Sequence, residues 1–196
     1  INCLVKNNIA SNDGGGISGG GDFENVIISG NVAGDLGGGI RMSSYSDGKI
    51  KNVIIKNNVA GIGGGISITN CSPLLENVLI QNNHSDFAGG GMFIENVTIM
   101  GGFADPTIKN VTITGNTTLG IEPGGGGIYT SYYDLEMSNS IIWDNLPESI
   151  YSIGVTEPII TYSNIEGDTT WVGEGNINTD PLFCDAENGA FTLAEN

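Results

Sequence analysis

Apolar side chains in this chain come in short bursts of two-residue alternation, never at the 3.6-residue spacing of an amphipathic helix. In FENVIISGNVAGDLGGGI, Phe23 to Ile40, Val26 and Ile28 alternate with Ile27 and Ser29. Asn25 and Asn31 bracket the burst, and a glycine triplet precedes one more apolar residue. The pattern recurs. NCLVKNN starts at Asn2, NVIISGN at Asn25, NVIIKNN at Asn52, NVLIQNN at Asn77, NVTITGN at Asn110 and a worn copy, NSIIWDN, at Asn139. Glycine runs alternate with these and end at Ile17, Ile40, Ile66, Met92 and Ile128. A period of roughly 25 residues is one solenoid coil. The leucine-rich frame that shares this period is absent, and the β-branched, alanine-poor units predict strands and turns.

Each coil divides into three expected strands: the residue pair before the first Asn, Val-x-Ile after it, and the segment after the glycines. Stacked in parallel, they predict an all-β, right-handed parallel β-helix, a solenoid of about six to seven coils. Inward columns on the first strand are Phe23, Ile50, Leu75, Ile108 and Met137. On the second they are Val26, Val53, Val78 and Val111, then Val5, Ile28, Ile55, Ile80, Ile113 and Ile142. The glycine-following column is Ile17, Ile40, Ile66, Met92 and Ile128. Cys3 aligns with Val26 and is expected in the core.

Phe23 and Val26 both point inward although three residues apart, so the chain bends at Asn25. Asn tolerates the left-handed conformation of a tight corner, and its amide can bond its counterpart one coil away. Two asparagine ladders follow: Asn25, Asn52, Asn77, Asn110 and Asn139, and Asn31, Asn58, Asn83, Asn116 and Asn145. Both read as buried architecture. The glycosylation sequons at Asn70, Asn83, Asn96, Asn110 and Asn116 therefore read mostly as accidental. The glycine triplets lack the Gly-Lys-Ser/Thr of a phosphate loop and supply corners instead.

Charge narrows the function classes. With 22 acids against 6 bases, the formal net charge of −16 has the wrong sign for nucleic acid or an anionic membrane surface. No apolar run approaches the roughly 20 residues of a membrane span. Three scattered cysteines make neither a disulfide framework nor a zinc site.

The alternation of GGGI with NVxIxxN resembles the parallel β-helix repeats of secreted and surface bacterial proteins, the pectate lyase-like superfamily. It is also similar to the polymorphic outer membrane protein repeat, which carries GGAI and FxxN. The stretch YSNIEGDTTWVGEGNINTDPLFCDAENGAFTLAEN is similar to the closing segment of such proteins, where SNIEG, GEGNI and DPLF mark the last coil and its cap. The chain is accordingly read as β-helix coils over residues 1–160 and a last coil with capping segment over 161–196, one continuous domain cut from a longer protein. The resemblance implies the fold; the superfamily spans lyases, hydrolases, epimerases, adhesins and silent binders.

Sites on such a fold lie on the outer wall. Arg41 is the only arginine and the weak candidate for a lyase base, with Asp47 and Lys49 nearby; it reads better as a solvated strand residue. The lone His84 is placed in a turn without triad partners. Asp13, Asp35, Asp86 and Glu122 gather at the corner before the glycines and are candidate Ca²⁺ ligands. Glu24, Lys51, Glu76 and Lys109 form an outward column of alternating sign. An outward apolar stripe of Leu4, Ile27, Ile54, Leu79, Thr112 and Ile141 suits a lateral partner or self-association. Phe93, Tyr129, Tyr132 and Tyr133 could stack on sugars. The reading is an extracellular or bacterial cell-surface β-helix that binds carbohydrate or a surface protein, with Ca²⁺ as the one candidate cofactor. It leans away from an enzyme; a polysaccharide lyase or glycoside hydrolase is the alternative, and a self-associating fibre or adhesin subunit a further one.

Overall fold

The computed structural model describes residues 2–43, 46–96, 105–120, 124–131, 135–154, 158–185 and 190–193. Among them there is no helix; parallel strands stack into three walls of a β-solenoid. The first wall holds 11 strands, the second 5 and the third 6. One coil shows the plan: Lys49–Lys56 on the first wall, Val59–Ile62 on the second and Ile66–Thr69 on the third.

This division differs from the three strands expected. The pairs before and after Asn52 are one continuous strand of the first wall, because the left-handed residue kinks the chain without ending its ladder. The second wall, by contrast, has no counterpart among the three expected strands. Its strands are as short as Ile9–Ala10 and Val32–Ala33, too brief for alternation to register. Their inward residues are small, with Ala10, Ala33, Ala60 and Ser85 in one column. The repeated tripeptides Asn8-Ile9-Ala10, Asn31-Val32-Ala33 and Asn58-Val59-Ala60 carried the signal.

The inward columns fall where the alternation put them. Ile28, Ile40, Ile50, Ile55, Ile66, Leu75, Ile80, Met92, Ile108, Ile113, Ile128 and Ile142 are wholly buried. At about 1.5–3 kcal/mol per buried aliphatic side chain, these columns drive folding. Phe23, Val5 and Ile17, nearer the first coil, are only partly buried. Cys3 does pair with Val26 but is exposed, a correction to its expected core position. At Ser140 and Ser163 the valine column turns polar. Each hydroxyl is buried but accepts a backbone N–H, from Val111 and Ser140 respectively, at 3.1 Å, and donates to a carbonyl at 2.9 Å.

The two asparagine ladders are unlike. In the inner one, each amide nitrogen donates to the carboxamide oxygen of the next coil at 2.9–3.0 Å, from Asn31 through Asn58, Asn83 and Asn116 to Asn145. The same oxygens accept the backbone N–H of the preceding rung, and the second amide proton reaches a carbonyl of the coil behind. Every donor and acceptor of such a buried amide is used. Asn8, unrecognised in the sequence, is a further rung bonded to Asn31. The outer ladder lies at the surface. Asn25, Asn52, Asn77, Asn110 and Asn139 all have φ between 50 and 56°, and side-chain bonds of 3.2 Å join Asn25, Asn52 and Asn77. Asn110 is exposed, so its placement in a buried ladder is corrected. Just before each inner rung stands a further left-handed residue, among them Asn7, Gly30, Asn57 and Gly115.

The parallel stack continues through Ile159–Thr161 and Asn164–Ile165. Then Ile177 bridges to Asn164, the Asn176 amide donates to the Ile160 carbonyl at 2.8 Å, and Trp171 packs against the core. Phe183–Asp185 and Ala190–Leu193 form an antiparallel hairpin, so the closing segment leaves the solenoid pattern.

Two outcomes are expected. Asn52→Gly keeps the left-handed corner and should change stability by under about 0.5 kcal/mol. Asn58→Gly strands the buried Asn31 donors at about 1–3 kcal/mol each and should cost at least about 3 kcal/mol by urea unfolding. For Cys71, burial is the main reason the thiol is pushed up from 9.0 to about 11. Its neutral form is favoured in the fold, so that stabilisation is complete below pH 9 and lost as pH rises to about 11. Melting curves over this window should fall more steeply for the wild type than for Cys71→Ala.

Candidate functional site

The third wall owes its outer face to the glycine triplets. The first glycine of each takes a left-handed φ, as Gly37 does at 72°, and the next two lie against the adjacent coil. A Cβ on Gly38 would stand 2.4 Å from the carbonyl oxygen of Gly64. The following apolar residue then points in and its successor points out. Those successors stack as Ser18, Arg41, Ser67, Phe93, Tyr129 and Tyr151.

The later half of this column is aromatic. Phe93 and Tyr129 stack with centroids 5.1 Å apart and planes 12° from parallel; Tyr129 and Tyr151 lie 5.6 Å apart at 38°. Phe93 is only 6% exposed and backs Tyr129, whereas Tyr129 and Tyr151 are half-buried. Tyr151 was missed in the sequence because no glycine triplet precedes Ile150; Glu148 and Ser149 stand there instead. Tyr132 and Tyr133 lie outside the described residues.

The earlier half holds Arg41, and here the expectation is corrected. Arg41 is not a solvated strand residue: it is 9% exposed. One guanidinium nitrogen donates to the Met42 carbonyl at 3.0 Å, Ser67 Oγ at 3.1 Å and Thr69 Oγ1 at 2.7 Å, while Nε lies 3.6 Å from Asp13. Neither Asp47 nor Lys49 is among these contacts. A guanidinium tied to two hydroxyls and a carboxylate is a clamp across coils, and its protonated form cannot serve as a base.

The corner acids do not share a column. Asp13 stands in register with Leu36 and Ile62, and Asp35 one residue earlier beside Asn12 and Gly61, so neither has a carboxylate next to it on the adjoining coil. Asp13 turns to Arg41 and accepts the Leu36 N–H at 3.2 Å; Asp35 and Asp86 are exposed. Glu122 lies outside the described residues. Among the described residues, no three of His, Cys, Asp and Glu converge to hold a metal ion. His84 sits on the strand His84–Ala88 rather than in a turn, with Nδ1 2.8 Å from Thr117 Oγ1 and Nε2 3.9 Å from Asp86. The second distance is too long for a hydrogen bond.

Four carboxylates, Asp144, Glu148, Glu166 and Asp168, line a crevice of about 470 Å³ that Trp171 also lines. Burial raises the Glu148 pKa, against the lowering effect of a backbone hydrogen bond at Gly125. Glu148, Glu166 and Asp168 lie on loops off the aligned motifs, and Asp144 holds the left-handed place before the rung Asn145, so column-by-column reading passed over them. On the first wall, the outward columns match the alignment: Glu24, Lys51, Glu76 and Lys109 stand in register, and Lys51 meets Glu76 at 3.4 Å. Leu4, Ile27, Ile54, Leu79, Thr112 and Ile141 form the apolar stripe beside them.

No curated protein and no solved structure matches the chain. Residues 110–131, which carry the inner rung Asn116, the core Ile128 and the outward Tyr129, match the Chlamydia polymorphic membrane protein repeat. The chain is thus a parallel β-helix repeat protein whose coil is similar to that repeat.

Proposed function

We propose that this chain is a stretch of a bacterial cell-surface β-helix that binds a neutral glycan along its third wall. The observation that carries the reading is the outward row Phe93–Tyr129–Tyr151, rings spaced at 5.1 and 5.6 Å on a rigid scaffold. Stacked on one another, the rings turn their outer edges outward as an apolar strip against which sugar C–H surface can pack, and rigid side chains keep the entropic cost of binding low. The net charge of −16 disfavours polyanionic chains, and Arg41, which could have met a carboxylate, is held by Asp13, Ser67 and Thr69. Surface location is supported by the repeat family, named for membrane proteins of Chlamydia. An acidic balance also suits a Ca²⁺-assisted contact, so binding belongs in both Ca²⁺ and EDTA.

A glycan array probed with the chain should give hits among neutral oligosaccharides, and Tyr129→Ala and Tyr151→Ala should each weaken them about tenfold or more, near 1.4 kcal/mol. Melting temperatures of the two variants separate lost stacking from lost binding. Absence of any glycan hit for the wild type overturns the reading. Shorter products appearing in the same incubation would instead favour hydrolysis, with Glu148 in the crevice as the proton donor.

A further inference from the structure

The outer face of the first wall is self-complementary. Its charge column reads Glu24, Lys51, Glu76, Lys109 along the coils. Turn a second copy over about an axis along the strands, passing between the coils of Lys51 and Glu76, and the column meets itself reversed. Lys51 then faces the second copy's Glu76, and Glu24 faces its Lys109. Every charge finds its opposite twice over. The same operation lays the apolar stripe on itself, with Ile54 against Leu79, Ile27 against Thr112 and Leu4 against Ile141. A twofold along the solenoid through this column would instead set each charge against its own copy, Glu24 on Glu24 and Lys51 on Lys51.

Two surface features fit this arrangement. Leu4 is 52% exposed. Its counterpart Ile141 lines a groove of about 480 Å³ whose walls include Tyr162, Ile177 and Leu182, an apolar seat for the protruding leucine. Around Lys49 and Lys51, a hollow of about 320 Å³ flanked by Asp22 and Leu74 lies where the opposing Glu76 arrives. We propose that a second copy of this chain occupies the face, forming an antiparallel, isologous dimer closed by twofold symmetry. At about 4.8 Å per coil and 3.3 Å per residue the strip is roughly 24 by 17 Å. That places the pair among small, transient interfaces, with an affinity of micromolar order or weaker.

The test is sedimentation velocity of the full chain from micromolar to submillimolar concentration. A monomer–dimer equilibrium is expected, weakened by salt. The fourfold exchange Glu24→Lys, Lys51→Glu, Glu76→Lys, Lys109→Glu preserves alternation within the chain and across its own dimer, so that variant should dimerise as the wild type does. Mixed with fluorescently labelled wild type, it should form no heterodimer, because every facing pair would then be alike. Leu79→Lys should dissociate the dimer about tenfold or more at unchanged melting temperature, and decides the matter should the exchange variant fail to fold. A wild type that stays monomeric at the highest concentration, or free mixing of the two charge forms, overturns the proposal.

Discussion

The structure depends on a column of buried amides being satisfied in full. A carboxamide removed from water without partners costs several kcal/mol, and five of them, Asn31, Asn58, Asn83, Asn116 and Asn145, lie buried in the wall of this solenoid, at about 2–7 kcal/mol each if unpaired. Asn31, Asn58, Asn83 and Asn116 avoid that cost only when the coil before and the coil after stand at the correct height and register. A slip of one residue would carry each amide away from its partners and strand the neighbouring rungs' N–H groups. The asparagines therefore dictate register, and the isoleucine and valine columns between them supply the driving force.

Fixing the interior leaves the exterior free to vary. The three walls share a backbone plan, yet one carries alternating charge beside an apolar stripe, another ends in stacked aromatics, and the short wall exposes Ile9, Val32 and Val59 before reaching His84 and Thr117. Arg41 shows how an outward position can be recruited inward. Flanked by serines on the coils either side, it has room to fold flat and tie Ser67 and Thr69 to Asp13 two coils away. The free end of the stack after Ile165 is handled differently, by Trp171 over the core and a hairpin that abandons the parallel direction.

Legibility in the sequence followed repetition. The inward columns, both ladders and the charge and apolar stripes recur once per coil, and alignment of the copies placed them in their observed registers. What the repeat does not encode was harder to read. Whether Asn110 is covered depends on the outside of a corner, not on its place in the motif. Asp13, Asp35 and Asp86 share a neighbourhood in sequence, but Asp13 is one place out of register with Asp35, and the coil of Gly61 separates Asp35 from Asp86. Tyr151 and Glu148 lie where the glycine motif has decayed, so no template pointed to them. The second wall escaped because two residues cannot display a period.

The inner ladder also has a direction. From Asn31 to Asn145, each side-chain carbonyl points back toward the coil before it and accepts from that coil's amide. Side-chain amides carry dipoles of the peptide kind, about 3.5 D each, and here they add head to tail. In a sheet the backbone dipoles nearly cancel; this polar wire does not, and each bond polarises the next. The solenoid is consequently an electret on a small scale, negative toward its first coil and positive toward its last, with a field set by the number of rungs.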